Sequence, residues 1–256
     1  MKIVVAIKRV PARDSQLKIN STASGIEESD LSWEINEPDA YALEAGLQLR
    51  DRVSGEVIVL CAGPEAATQS IREALAKGAD RAIHIETTSS LTADPLTLAG
   101  MMAKALESEK PDLILTGLQS DDLGYGQTGV ILAQRMGLPH ATLIMNIEPA
   151  GTGIQVKREL EDGWFQNVDL PLPALLTIQS GATRLRYATL MGIKKAKTKE
   201  IRRVAASDVN DPAAPRIRIN CISLPEKTKH SQIFDGPAKE SAAKLVDKLR
   251  FEARVL

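Results

Sequence analysis

Gly117-Leu-Gln-Ser-Asp-Asp-Leu-Gly-Tyr-Gly-Gln-Thr-Gly129 stands between the apolar run at residues 113–115 and a segment with helical spacing at residues 130–136. The order is strand, glycine-rich loop, helix. Without a Cβ, the glycine amides of such a loop can approach a ligand closely, and the helix start behind them favours negative charge. The stretch is therefore a candidate phosphate site at the end of a strand. It lacks the GxxxxGK[ST] loop, and its GxGxxG spacing at Gly124, Gly126 and Gly129 comes well after the strand run rather than directly behind it, so on local pattern alone an ordinary glycine-rich connection fits it equally well.

Outward from this loop the chain alternates. β-rich runs recur at residues 3–7, 57–60, 82–85 and 113–115, each followed by a segment with helical signals, and this alternation predicts crossover units and a parallel sheet covered on both faces. Asn36-Glu-Pro38 opens a first helix with a capping-type residue and an early proline, and Ala40, Leu43 and Leu47 share one side of it. Gly63-Pro64 opens a second, which carries Ile71 and Leu75 and ends at Lys77-Gly78. Asp94-Pro95 opens a third with the stripe Leu98, Met102, Ala105 and Leu106, ended by Pro111. Ligands of open α/β sheets bind beyond the carboxyl ends of the strands. The end of the first strand, the starts of the first and second helices and the Gly117 loop are accordingly expected to meet at one crevice.

Beyond residue 140 the pattern becomes strands with turn signals, at residues 142–147, 154–159 and 168–170, separated by Gly151-Thr-Gly153 and Asp162-Gly163. This predicts antiparallel hairpins, followed by a buried run at residues 174–178. From Tyr187 the chain is basic and then rich in proline and polar residues, which reads as an extended arm. A final amphipathic helix carries Ala242, Leu245, Val246 and Leu249 on one face, and an arm with an apolar stripe implies a partner to grip.

Composition narrows the function. The 256 residues hold 32 basic and 33 acidic side chains for a net charge of -1, so whole-chain charge gives no basis for binding nucleic acid or an anionic membrane. Aromatic residues make up only 3%, too few for a base-stacking surface. Cys61 and Cys221 lie far apart and outside metal-ligand spacing, as expected of free thiols in a reducing compartment. The first residues read as a strand and no window is long enough to span a bilayer, so a soluble intracellular protein is expected.

No catalytic constellation or metal site stands out. His84, His140 and His230 lack partner spacing and read as structural. Glu159, Glu161 and Asp162 beside Arg158 fit a charged hairpin tip better than an acid and base pair. The basic run from Lys194 to Arg203 reads as solvated surface or a face for an acidic partner.

Arg158-Glu-Leu-Glu-Asp-Gly-Trp-Phe-Gln-Asn-Val-Asp-Leu-Pro-Leu-Pro-Ala-Leu-Leu-Thr177 resembles the signature segment of the small (beta) subunit of electron transfer flavoproteins. Asn36-Glu-Pro-Asp-Ala-Tyr-Ala-Leu-Glu-Ala45, Leu75-Ala-Lys-Gly-Ala-Asp-Arg-Ala82 and Arg186-Tyr-Ala-Thr-Leu-Met-Gly-Ile-Lys-Lys-Ala196 agree with that family in order and spacing. The resemblance implies a Rossmann-like sheet of the adenine nucleotide alpha hydrolase-like type over residues 1–186, with a β-hairpin. It implies a docking loop and an extended C-terminal arm wrapping a larger alpha subunit over residues 187–256. The alpha subunit would carry redox-active FAD, and the heterodimer would pass electrons from a flavin-dependent dehydrogenase to an acceptor. This chain would then be an electron-carrier subunit without its own substrate site, cytoplasmic in a bacterium or archaeon and in the mitochondrial matrix if eukaryotic.

Carried over by position, a structural AMP would touch Ala6, Asn36, Asp39, Cys61, Ala62, Gly63, Pro64, Gln119, Asp122, Leu123, Gly124, Tyr125, Gly126, Gln127, Thr128 and Gly129. The dehydrogenase would dock on Tyr187, Ala188, Thr189, Leu190, Met191, Gly192 and Ile193, with Leu190 as the anchor; burying one leucine is worth ~1.5 to 3 kcal/mol. Met191 departs from the proline often found there. Glu159 aligns with a glutamate that pairs with the mobile FAD domain and gates it. A bifurcating branch of the family holds a second FAD in place of AMP, and its loop resembles Asp-Gly-Asp-Thr-Ala-Gln-Val-Gly-Pro. Thr128 and Val130 replace the valine and proline of that pattern, which favours AMP. A stress-protein-like ATP-binding module shares this type of sheet and is the alternative from a different functional class.

Overall fold

A computed structural model describes residues 1–88, 94–209, 215–217, 219–225 and 231–256. The elements run β1 (Lys2–Ile7), β2 (Arg9–Pro11), β3 (Trp33–Ile35), α1 (Glu37–Val53), β4 (Glu56–Gly63), α2 (Thr68–Lys77), β5 (Arg81–Glu86), α3 (Pro95–Leu106), β6 (Leu113–Gly117), α4 (Thr128–Met136), β7 (His140–Ala150), β8 (Gly153–Glu159), β9 (Phe165–Pro171), β10 (Ala174–Ile178), α5 (Leu190–Ala196), β11 (Ile201–Ala205) and α6 (Ala238–Asp247). Nine strands form one sheet in the order β11-β5-β4-β1-β6-β10-β7-β8-β9, and β2 and β3 make a separate antiparallel ribbon. Every pairing from β11 to β7 is parallel; β8 and β9 are added antiparallel. This is the mixed α/β architecture expected from the alternating runs.

Strand β1 shows why the central strands are apolar throughout rather than alternating. Ile3, Val5 and Ile7 face the core shared with Leu43, Leu47, Ile71 and Leu75 of α1 and α2, while Val4 and Ala6 face that of Met101, Met102, Leu106 and Leu132 of α3 and α4. Both faces are covered, so no position is left for a polar side chain. The predicted helix boundaries are found at Asp94, whose side chain accepts from Thr97 N, and at Gly78, whose amide closes on Ala74 O and Leu75 O. Asn36 is the N-cap of α1 by position, yet its side chain makes no capping bond.

The reading of residue 187 onward as extended arm needs correction for residues 190–205. Helix α5 packs on α2, with Ala196 buried, and β11 extends the sheet beside β5. The basic run misled because its later charges are matched laterally, while Lys194, Lys195 and Lys197 stay exposed. Arg202 bonds Glu109 at 3.1 Å, Arg203 lies across Glu65 and Glu86, and the Lys199 ammonium reaches the carbonyl of Leu75 at 3.1 Å, at the end of α2. Of the histidines, His84 is fully buried with Nε2 3.0 Å from Gly63 O, His140 is exposed, and His230 lies outside the described residues.

Two compact units divide the chain, Met1–Ile222 and Ser223–Leu256. In the second, α6 leaves Leu245 and Val246 exposed on the expected apolar face. Among the described residues no helix is long and apolar enough to cross a membrane.

Candidate nucleotide site and docking loop

Strand β1 lies between β4 and β6. The chain runs outward from β1 through β4 to β5 and then returns through α3 to β6, so a topological switch point falls between the carboxyl ends of β1 and β6. A cleft of about 130 Å³, open at its mouth, occupies that place. Ala6, Ile7 and Lys8 come from the end of β1, Asn36 and Asp39 from the start of α1, and Thr116 to Ser120 with Leu123 and Tyr125 to Gly129 from β6, the glycine-rich loop and α4.

Asp39 organises the floor. One carboxylate oxygen accepts the amide of Lys8 at 2.7 Å and the other that of Gly117 at 2.9 Å, so a single buried side chain ties the two central strand ends to α1. Asn36 uses the oxygen freed from capping to accept the Asp121 amide at 2.9 Å, and its Nδ2 donates to Gln119 O at 2.9 Å. The loop is thus clamped at both of its early residues. Lys8 Nζ meets Asp122 Oδ1 at 2.6 Å, which neutralises the one cationic side chain lining the cleft among the described residues.

Two glycines are required by space. A Cβ on Gly117 would lie 2.3 Å from Asp39 Oδ1 and 2.8 Å from Asp39 N, and one on Gly129 would lie 2.6 Å from Thr116 Oγ1. Close packing here brings the first turn of α4 against the strand ends. That helix has no side-chain N-cap, and Thr128 and Gly129 of its first turn line the cleft; helix-start amides without intrahelical acceptors favour an anion.

Of the sequence-derived site residues, Ala6, Asn36, Asp39, Ala62, Gln119, Leu123, Tyr125, Gly126, Gln127, Thr128 and Gly129 line this one cleft. Cys61, Gly63 and Pro64 do not line it; Cys61 is wholly buried, and burial pushes its thiol up to about 12. Asp122 and Gly124 shape the loop from outside the lining. The second helix, expected at the crevice, is replaced by α3, whose Pro95, Thr97, Leu98, Met101 and Met102 form an apolar wall. The missed signal was the handedness of the crossover: α3 returns across the other face to β6 and brings its N-terminus to the switch point. Elsewhere, ligand atoms of Glu65, His84 and Glu86 lie within 4.8 Å of one another, but the Arg203 guanidinium already spans both carboxylates.

A family model for the electron transfer flavoprotein domain matches residues 24–209. The electron transfer flavoprotein subunit beta of Methylophilus methylotrophus is 33% identical over 96% of this chain and 97% of its own length. Its counterpart in Bradyrhizobium diazoefficiens is 34% identical over the full length of both. The chain belongs to the electron transfer flavoprotein family, as a beta subunit. The mitochondrial electron transfer flavoprotein subunit beta of Arabidopsis thaliana, 33% identical over the full length, shows that such subunits occur in organelles as well as bacteria.

In this electron transfer flavoprotein subunit the segment after β10 presents its apolar residues outward. Tyr187 is 90% and Leu190 81% exposed, with Met191 and Ile193 beside them. The loop is nevertheless held firmly. Thr189 Oγ1 accepts from Gly192 N at 3.0 Å as the cap of α5, Gly192 sits so close to Ala76 O that a Cβ would be 2.3 Å from it, and Arg186 is fixed by buried Glu44 at 2.8 Å. Glu159, at the end of β8, is half-buried and accepts from Gln179 Nε2 at 3.0 Å.

Proposed function

We propose that this chain is the scaffold and docking subunit of a heterodimer whose alpha subunit carries the redox-active FAD, and that its cleft holds one AMP. The observation that carries this reading is the uncapped start of α4 at the switch-point cleft, with glycines where no side chain would fit. Backbone amides and the Thr128 hydroxyl suit a single phosphate without a metal ion, while Leu98, Met101, Met102 and Ala62 offer the apolar wall an adenine needs. Thr128 and Val130 favour AMP over a second FAD. The chain then has no substrate site of its own. The heterodimer works in the cytoplasm of a prokaryote or in the mitochondrial matrix.

Residues 187–256 serve the partners: the loop at 187–193 receives the dehydrogenase, and the C-terminal segment grips the alpha subunit. Leu190 is the docking anchor because it is a large apolar side chain projected from a capped, rigid turn. Glu159 restrains the FAD domain through a partly exposed ion pair worth ~0 to 1 kcal/mol, weak enough for the domain to keep moving.

Leu190→Ala tests the docking role. Loss of ~1.5 to 3 kcal/mol of burial should raise the KM for the heterodimer in dehydrogenase-driven reduction by about ten- to a hundredfold. Reduction by dithionite and the thermal midpoint should not change, since the side chain is 81% exposed. An unaltered KM would contradict it.

A further inference from the structure

Arg9 is the only arginine among the described residues that is buried, at 7% exposure. Of the half-buried arginines, Arg158 also has Nε buried without an acceptor and Arg72 bonds the Lys199 carbonyl, but three are matched by acids: Arg81 by Glu56 and Glu109, Arg186 by Glu44, Arg202 by Glu109. Arg9 is not. Its guanidinium stacks 3.6 Å from the centre of the Trp33 ring, Nε is buried with no acceptor, and among the described residues it has no hydrogen bond and no carboxylate within 4.0 Å. Stacking on the ring satisfies none of its N–H donors, and a guanidinium cannot shed its charge as a lysine can. Glu28 acts on it only through its field, from an exposed loop, and loss of hydration outweighs that field in pulling the arginine's pKa down.

A buried cation without an anion is an incomplete pair. The acceptor does not come from the cleft. Lys8 lines the cleft whereas Arg9, the next residue along, does not, as expected where successive side chains of an extended chain point to opposite sides. The described residues supply no such group; a planar oxyanion would complete the site, and the guanidinium fork fits a carboxylate in two-point contact. We propose that Arg9, braced by Trp33, is one half of an ion pair between subunits, completed by a carboxylate of the alpha subunit; this rests on the heterodimer proposed above.

The test is Arg9→Met in the full chain, read in two ways. Methionine keeps the bulk over Trp33 and removes the unpaired charge, so the isolated chain should unfold at the same or a higher temperature. Affinity for the alpha subunit should fall at least tenfold. A structural role would lower both together, and that parallel loss would overturn the proposal, as would unchanged assembly. Arg9→Lys supplies a second reading should the methionine chain fail to fold: charge without the fork should weaken assembly severalfold in a folded chain, and wild-type affinity would overturn the proposal. Glu28→Gln should leave assembly intact; a loss equal to that of Arg9→Met would place the pair inside this chain and reject the intersubunit site. Failure of the unsubstituted chain to bind an alpha subunit would instead reject the heterodimer itself.

Discussion

Gly117→Ala should lower the unfolding free energy by about 3 kcal/mol and empty the cleft. The new methyl group would sit 2.3 Å from Asp39 Oδ1 and 2.8 Å from both Asp39 N and Pro38 Cβ. Two of these atoms belong to the first turn of α1 and cannot swing aside as a flexible side chain would, so the strand end and the helix must separate. Overpacking of this kind costs ~1 to 3 kcal/mol. Separation also stretches the bond from Gly117 N to Asp39, leaving a buried acceptor undersatisfied at a further ~1 to 3 kcal/mol. The glycine-rich loop starts at this residue and would move with it, so the heterodimer should lose the proposed AMP as well. Urea denaturation of the chain and nucleotide release from the purified complex measure the two effects. Wild-type stability with wild-type nucleotide content would show that the strand end and α1 are not in the contact described.

Asp39 should make stability fall as pH rises toward neutrality. Burial pushes its carboxyl from 3.8 up to about 7, although the amides of Lys8 and Gly117 and the Lys8 ammonium all pull the other way. The folded pKa is the higher one, so folding takes up a proton between 3.8 and about 7. Stability from this group is complete below the unfolded value and is lost as pH climbs through the folded value, with a slope approaching ~1.4 kcal/mol per pH unit. Asp39→Asn removes that slope. It also offers one oxygen where two amides need acceptors, so the variant should be less stable by ~1 to 3 kcal/mol at acidic pH, where Asp39 is protonated. The comparison is made by urea denaturation at about pH 5 and about pH 8 without nucleotide, where linkage predicts converging stabilities. Parallel curves for the two chains would contradict the assignment.

Local rules made most of the sheet legible. The apolar runs at β1, β4, β5 and β6 are too short for helices and are set off by Gly78, Pro111 and paired capping signals at Asp94-Pro95, so their parallel sense followed. The hairpin of β7, β8 and β9 was equally readable from its turns. Long-range partners were not readable. Glu109, Glu65 and Glu86 neutralise arginines close to a hundred residues or more away in sequence, and without that knowledge a folded helix and edge strand looked like a basic arm. The same limit applies to the cleft. Ala6, Asp39 and the Gln127 to Gly129 turn lie at strand and helix ends that pattern alone can locate, whereas the wall from α3 depends on which face a crossover returns along. Asn36 lines the cleft as its position predicts, but its side chain does not cap α1; it bridges instead to the loop at Gln119 and Asp121, residues too distant in sequence for local pattern to pair with it.

The most direct measurement is the nucleotide content of the heterodimer, purified after co-expression of this chain with its alpha subunit, denatured and separated by chromatography. A flavin spectrum with one FAD and one AMP per heterodimer is the predicted result. Two FAD per heterodimer, or a colourless protein that yields ATP, would contradict it.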